Sequence, residues 1–194
     1  MEILRESGYV AVPWKNGGGT TREILREPAG PTSFDWRLSL ASIETPGPFS
    51  IFDGYDRTLI LVRGAGVELI FGNGERARLG AVGEMARFDG GWQTQCNLLD
   101  GPCADLNLIV SRERARSTSR LATLEEPAIA PTAGWAETLI CCVSGTVRLI
   151  NSSGQSAELN TVDVARCSPV DGPVTCERSA GRALVFIAHL ARRP

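Results

Sequence analysis

The chain repeats itself at long range. Leu59-Ile-Leu-Val-Arg-Gly-Ala-Gly-Val-Glu-Leu-Ile70 runs strand, glycine turn, strand, and Leu139-Ile-Cys-Cys-Val-Ser-Gly-Thr-Val-Arg-Leu-Ile150 runs the same way. Further on, Glu84-Met-Ala-Arg-Phe88 is echoed by Asp163-Val-Ala-Arg-Cys167, so an offset of 79 to 80 residues holds across both blocks with a one-residue slip. A unit this long exceeds a solenoid repeat and suits two copies of a small β-barrel. The surrounding pattern agrees. Trp36–Ile43 alternates apolar with polar or small residues, as a half-buried strand does. Thr58–Val62, Val67–Phe71, Glu84–Phe88, Thr94–Leu99, Ala104–Val110, Thr138–Val143, Val147–Ile150, Asp163–Cys167, Val174–Glu177 and Ala183–Leu190 read as further strands. The best helix candidate, Ser111–Leu124, is rich in Arg and Ser and has no apolar stripe. The fold expected is all-β, with two small β-barrel lobes over residues 1–112 and 113–194.

Composition narrows the chemistry. With 20 basic and 22 acidic residues the formal charge is −2, which supplies no field for nucleic acid or an anionic membrane. No apolar run reaches the roughly 20 residues of a membrane span, and the charged start Met1–Glu6 is unlike a secretory leader; a cytoplasmic protein is expected. There is one histidine, His189, inside an apolar terminal strand, so a Ser–His–Asp or Cys–His set is not expected. The six cysteines include no C-x-x-C pair and lack histidines to share a metal, so they read as reduced core residues. No catalytic residue, metal ligand or cofactor site is assigned. Edge strands are compatible with a homodimer, without a decisive signal.

Four groups of residues could hold a ligand. The first is Pro13-Trp-Lys-Asn-Gly-Gly-Gly-Thr-Thr-Arg-Glu23, where three glycines bring backbone close to something. Beside them Trp14 can stack, Lys15 can pair with charge and Asn16 can hydrogen-bond. Lys15 is the single lysine among nineteen arginines. An ordinary exposed turn would use the same glycines. The second is Arg37 and Ser39, which share one face of the Trp36–Ile43 strand and would grip a carboxylate if that face were a barrel interior; a solvated outer face is the alternative. The third is Tyr55-Asp-Arg57. Asp56 and Arg57 alternate, so only one of them should look inward. The fourth is Asn107, which either faces a pocket or caps a local turn. Trp92 is a second aromatic that could wall a flat ligand.

The order of strands, glycine turns and acidic residues resembles the cupin superfamily, whose members commonly hold a metal through histidines and a carboxylate. Gly54-Tyr-Asp-Arg-Thr58 and Gly90-Gly-Trp-Gln-Thr94 stand where those histidines would and contain none. More specifically, Pro13–Glu23, Phe34–Ala41, Gly47–Arg57 and Leu99–Asn107 together resemble the HutD/Ves family, and the Pro-Trp-Lys-Asn-Gly-Gly-Gly-Thr-Thr string carries most of that likeness. The resemblance implies a metal-free, RmlC-like bicupin with a pocket in its N-terminal lobe. It further implies a non-enzymatic regulatory protein that binds a small organic acid, such as urocanate or a formylated glutamate in histidine utilisation, or a Ves-like stress role. The residues expected to bind are Trp14, Lys15, Asn16, Arg37, Ser39, Arg57 and Asn107. A metal-independent isomerase using Tyr55, and a structural or partner-binding scaffold, are the competing readings.

Overall fold

A computed structural model of the chain describes residues 1–14, 17–30 and 33–194. It divides into two compact units: a first lobe, Tyr9–Arg114, and a second, Met1–Gly8 with Ala115–Pro194. The boundary read from sequence at 112/113 falls two residues from this division, but the first eight residues lie in the second lobe. The reason is pairing: β1 (Glu2–Leu4) runs antiparallel to Val164–Arg166, and Arg5 Nη1 donates to Asp163 Oδ2 at 2.7 Å.

The first lobe carries β2 (Val10–Pro13), β3 (Gly19–Glu27), β4 (Trp36–Ile43), β5 (Gly47–Pro48), β6 (Tyr55–Arg63), β7 (Val67–Phe71), β8 (Arg76–Leu79), β9 (Met85–Asp89), β10 (Thr94–Leu98) and β11 (Cys103–Ser111). They form a six-stranded sheet, β2-β3-β4-β11-β6-β9, and a four-stranded sheet, β5-β10-β7-β8. One core joins the two sheets, with Leu59, Leu61, Ala86 and Phe88 of the larger meeting Val67, Leu69, Phe71, Leu79 and Cys96 of the smaller. That is the jelly-roll solution to burying one face of each sheet.

The second lobe carries β12 (Ala115–Thr123), β13 (Ala128–Ala130), β14 (Glu137–Ile150), β15 (Ser156–Asn160), β16 (Val164–Cys167) and β17 (Val174–Arg192). Here the paired strand blocks of the sequence are fused. Thr138–Val143 and Val147–Ile150 belong to one strand, β14, and Val174–Glu177 and Ala183–Leu190 to one strand, β17. The first half of β14 pairs with β16 and the end of β17, and its second half with β15 and the start of β17. The first lobe repeats that order with separate strands: β6 pairs with β9 and β11, and β7 with β8 and β10. Register shifts between Cys142 and Val147 bend β14 where the first lobe uses the turn 64–66, whereas the one-residue slip falls later, between Ile150 and Asp163. Ser111–Leu124, the helix candidate, contains a strand, β12, paired along β17. Among the described residues no helix is long and apolar enough to cross a membrane.

A shared backbone detail marks the duplication. Gly64 has φ +88°, and a Cβ there would lie 2.5 Å from the Pro102 carbonyl oxygen; Gly145 has φ +83°, and its Cβ would lie 2.6 Å from that of Arg182. Gly64→Ala and Gly145→Ala are each expected to cost about 2 kcal/mol or more in urea unfolding, because the added carbon meets rigid backbone as well as a left-handed torsion. Gly74→Ala (φ +88°, no neighbour within 4 Å) meets only the torsional penalty of about 1 kcal/mol.

Candidate functional site

The interior of the first lobe is not filled throughout. A cavity of about 690 Å³ is lined by β2, β3, β4, β6, β11 and the loop 48–52. Cross-strand pairing sets what faces it. Asp105, Asn107 and Ile109 of β11 lie opposite Ala41, Ser39 and Arg37 of β4, and opposite Leu61, Leu59 and Arg57 of β6. Directly opposed residues share a face and alternate residues are about 7 Å apart. The inner face therefore carries three rows: a cationic row with Arg37 and Arg57 flanking Ile109, a neutral row of Ser39 and Asn107 beside Leu59, and a row in which Asp105 is the polar member. The solvated reading of the Arg37 face fails for Ser39, which is buried.

A β-bulge completes the cationic end. The β3–β4 register shifts between Glu23 and Leu25, so Glu23 lies opposite Ser39 and Arg26 opposite Arg37. Without the extra residue an i, i+3 pair would point to opposite faces; with it both line the cavity. Arg26 Nε donates to Glu23 Oε2 at 3.1 Å, and its guanidinium lies 4.8 Å from the Phe34 ring centroid.

Arg57 is the centre of the arrangement. It is 5% exposed. Its guanidinium carbon lies 5.1, 5.6 and 5.0 Å from the ring centroids of Phe49, Phe52 and Phe88, and Nη1 donates to the Ser50 carbonyl at 3.3 Å. Burial pulls its pKa down to about 10, with Asp105 opposing the shift and Arg37 adding to it. It therefore remains a cation at neutral pH. Half-buried Arg37 shares Phe52 with it, 5.1 Å from that ring and 5.4 Å from Phe34. Its pKa is also lowered, by burial and then by Arg26, against Glu23. The loop bearing these rings is held by backbone: Phe49 N–H donates to Thr94 and Phe52 N–H to Gly90, at 2.9 and 2.7 Å.

Asp105 is 1% exposed, and among the described residues neither of its oxygens has a hydrogen-bond partner. Burial pushes the carboxyl up to about 7, against the pull of Arg57. The neighbouring thiols Cys96 and Cys103 are pushed up as well, to about 12 and about 11, and are neutral. Among the described residues no three His, Cys, Asp or Glu side chains converge as a metal-binding group.

The expected site residues fall out as follows. Trp14, Arg37, Ser39, Arg57 and Asn107 line this same cavity; Lys15 and Asn16 lie outside the described residues. Trp14 Nε1 donates to Thr21 Oγ1 at 2.8 Å and its ring meets Phe49 edge-on. Gly19 does approach something closely, but that something is protein, since a Cβ there would lie 2.3 Å from the Ser42 carbonyl oxygen. Of Asp56 and Arg57, Arg57 turns in, while Asp56 pairs outside with Arg112 at 3.0 Å. Tyr55 is not on the cavity: its hydroxyl accepts from Arg114 Nη2 at 2.6 Å. Trp92 packs on Phe71 in the apolar core. His189 lies in the second lobe, sharing a hydrogen bond with Thr138 Oγ1 at 3.0 Å and stacked on Trp135. Glu23, Arg26, Phe49, Phe52 and Asp105 were not expected. Asp105 was within reach of the sequence, since it sits two residues before Asn107 on the same strand.

Two β-barrel lobes, one of them hollowed and lined by arginine, make a bicupin-like fold. An oxalate decarboxylase from Lactobacillus farciminis matches the fold with a TM-score of 0.67 over 99% of this chain and 86% of that one, at 10% identity. The chain belongs to the HutD family, whose model matches residues 6–185. The structure of HutD from Pseudomonas fluorescens SBW25, from a formate condition, superposes with a TM-score of 0.84 over 100% of this chain and 99% of that one, at 31% identity. An uncharacterised 21.2 kDa protein from the hutC 3′ region of Pseudomonas putida is 41% identical over 118 residues, 60% of this chain; the chain spans 62% of that relative's length.

The carboxyl raised to about 7 has a consequence for stability. An unfolded aspartate ionises near 3.8, so between about pH 4 and pH 7 the native state holds a proton that the unfolded chain has lost. Asp105 therefore lowers stability as pH rises through this window. Asp105→Asn is expected to leave urea stability little changed near pH 4 and to raise it by about 2–4 kcal/mol at pH 8. A difference independent of pH contradicts the raised pKa.

Proposed function

We propose that the first lobe is a receptor for a small organic acid, and that the protein is a non-enzymatic binding module whose occupancy reports the concentration of that acid. The observation that carries this reading is the pair of guanidinium groups. Among the described residues Arg37 Nε and Arg57 Nε are buried, face a cavity and have no hydrogen-bond partner. A buried donor left unmade costs on the order of 1–3 kcal/mol, more when charged. A carboxylate has the charge and the paired acceptor oxygens that the fork of an arginine fits. The aromatic rings around Arg57 keep water from screening the contact and strengthen it.

Three further features support binding rather than turnover. The chain's one imidazole stands in the other lobe, the Tyr55 hydroxyl is taken by Arg114, and the charged pair Glu23–Arg26 is closed on itself at 3.1 Å. The HutD relatives and the hutC neighbourhood of the Pseudomonas putida protein associate the reading with histidine utilisation, where urocanate and formylated glutamate are the candidate acids.

The test is a thermal-shift titration with formate, acetate, urocanate and formylglutamate. An acid at about 100 times its Kd adds about 2.7 kcal/mol to the native state and raises the midpoint by several degrees. Arg57→Gln is expected to fold and to lose the shift, Arg37→Gln to reduce it about tenfold or more in affinity. A shift that survives in Arg57→Gln places the acid elsewhere, and the absence of any shift with all four acids favours a scaffold whose arginines only brace the barrel.

A further inference from the structure

The cavity's polar demand is two-sided. Among the described residues five buried side-chain atoms have no hydrogen-bond partner, and all five belong to residues lining this cavity. Two are donors, Arg37 Nε and Arg57 Nε. Three are acceptors: both oxygens of Asp105 and Oδ1 of Asn107. A plain carboxylate answers the donors and leaves the acceptors unmet. It also brings a negative charge toward Asp105. The rows on β4, β11 and β6 keep the two demands apart, since the arginines flank Ile109 and Asp105 lies four residues back along β11, with Asn107 between them.

We infer that the cavity selects organic acids that also carry an N–H or O–H donor, the carboxylate meeting Arg57 and Arg37 and the donor meeting Asp105 and Asn107, which thereby set specificity. This rests on the carboxylate-binding reading above. A site built to pair with a donor discriminates strongly against a ligand that lacks it, because its buried acceptors are then desolvated for nothing. The same logic gives Asp105 a reason to be kept buried. Its charge is unfavourable without a donor and is compensated when the donor arrives.

The experiment uses the full chain at about pH 8, where Asp105 is mostly ionised, and calorimetric titration with pairs of acids differing by one group. N-acetylglycine is set against levulinate, N-acetyl-β-alanine against γ-acetylbutyrate, and N-acetyl-γ-aminobutyrate against δ-acetylvalerate; in each pair a CH₂ replaces the N–H. Acetate is the control for the anion site. At least one amide acid is expected to bind about tenfold or more tightly than its partner. In Asp105→Asn that ratio should fall to within about threefold, with the keto acid binding more tightly than in the native chain, because the opposing charge is gone. Asn107→Ala should narrow the ratio without tightening the keto acid. Equal affinities within every pair, with acetate still bound, overturn the inference and leave the anion reading intact. Binding of acetate but of no longer acid overturns it as well, and so does a ratio unchanged in both variants. If no acid binds, acetate included, the anion reading itself falls.

Discussion

A buried guanidinium in an aromatic setting is the constraint around which the first lobe is arranged. Arg57 has rings of Phe49, Phe52 and Phe88 around it and, among the described residues, a hydrogen bond to the Ser50 carbonyl. The rings offer cation–π attraction, of the order of 1–2 kcal/mol each when desolvated, but an arginine has five N–H donors and rings accept them poorly. The fold therefore holds a cation with its charge retained and its hydrogen-bonding capacity partly unspent. Arg37, sharing Phe52, repeats the arrangement at half burial. Two like charges flanking one strand repel, and an anion supplied from outside removes that repulsion as well as meeting the donors.

The same barrel, copied, shows what the cavity replaces. In the second lobe Val185 and Ile187 of β17, with Ile140 and Cys142 of β14, fill the interior, and all four are fully buried. At the repeat offset of 80 residues the first lobe has Asp105 and Asn107 in place of Val185 and Ile187. Where the second lobe has two apolar side chains the first has two polar ones, beside a cavity that arginines from neighbouring strands line. One copy is a packed core and the other a polar site. The bulge at Glu23–Leu25 adds a closed ion pair to that site, so the charge left for a ligand is concentrated on Arg37 and Arg57.

Much of this could be read from the amino acids. Strand β4 is found where period-two alternation puts it, Trp36–Ile43, and the repeat announces two barrels because apolar runs around a glycine turn recur with their spacing. Arg37, Ser39 and Asn107 follow from alternation once a face is known to be interior, which the sequence alone leaves open. What stayed hidden depends on tertiary pairing. Gly17–Gly19 looks like a ligand loop, but Gly19 is small because β4 passes beneath it. Arg26 reaches the cavity through a bulge, and a bulge breaks the period that would have predicted it. Glu2–Leu4 pairs with a strand more than 150 positions away, a contact that no local pattern encodes. Asp105 follows from Asn107 by the same alternation, but that its buried oxygens make no hydrogen bond among the described residues is visible only in the packed barrel.

The central claim is that Arg57 and Arg37 await an external carboxylate, and arginine side-chain NMR tests it most directly. The Nε–H resonances of the two residues can be assigned by their loss in Arg57→Lys and Arg37→Lys. On titration with acetate both should move downfield together, saturably, and exchange more slowly with water, as two donors closing on one anion must. Resonances that stay in place through the titration, or that already show a strong hydrogen bond before acetate is added, would contradict the account.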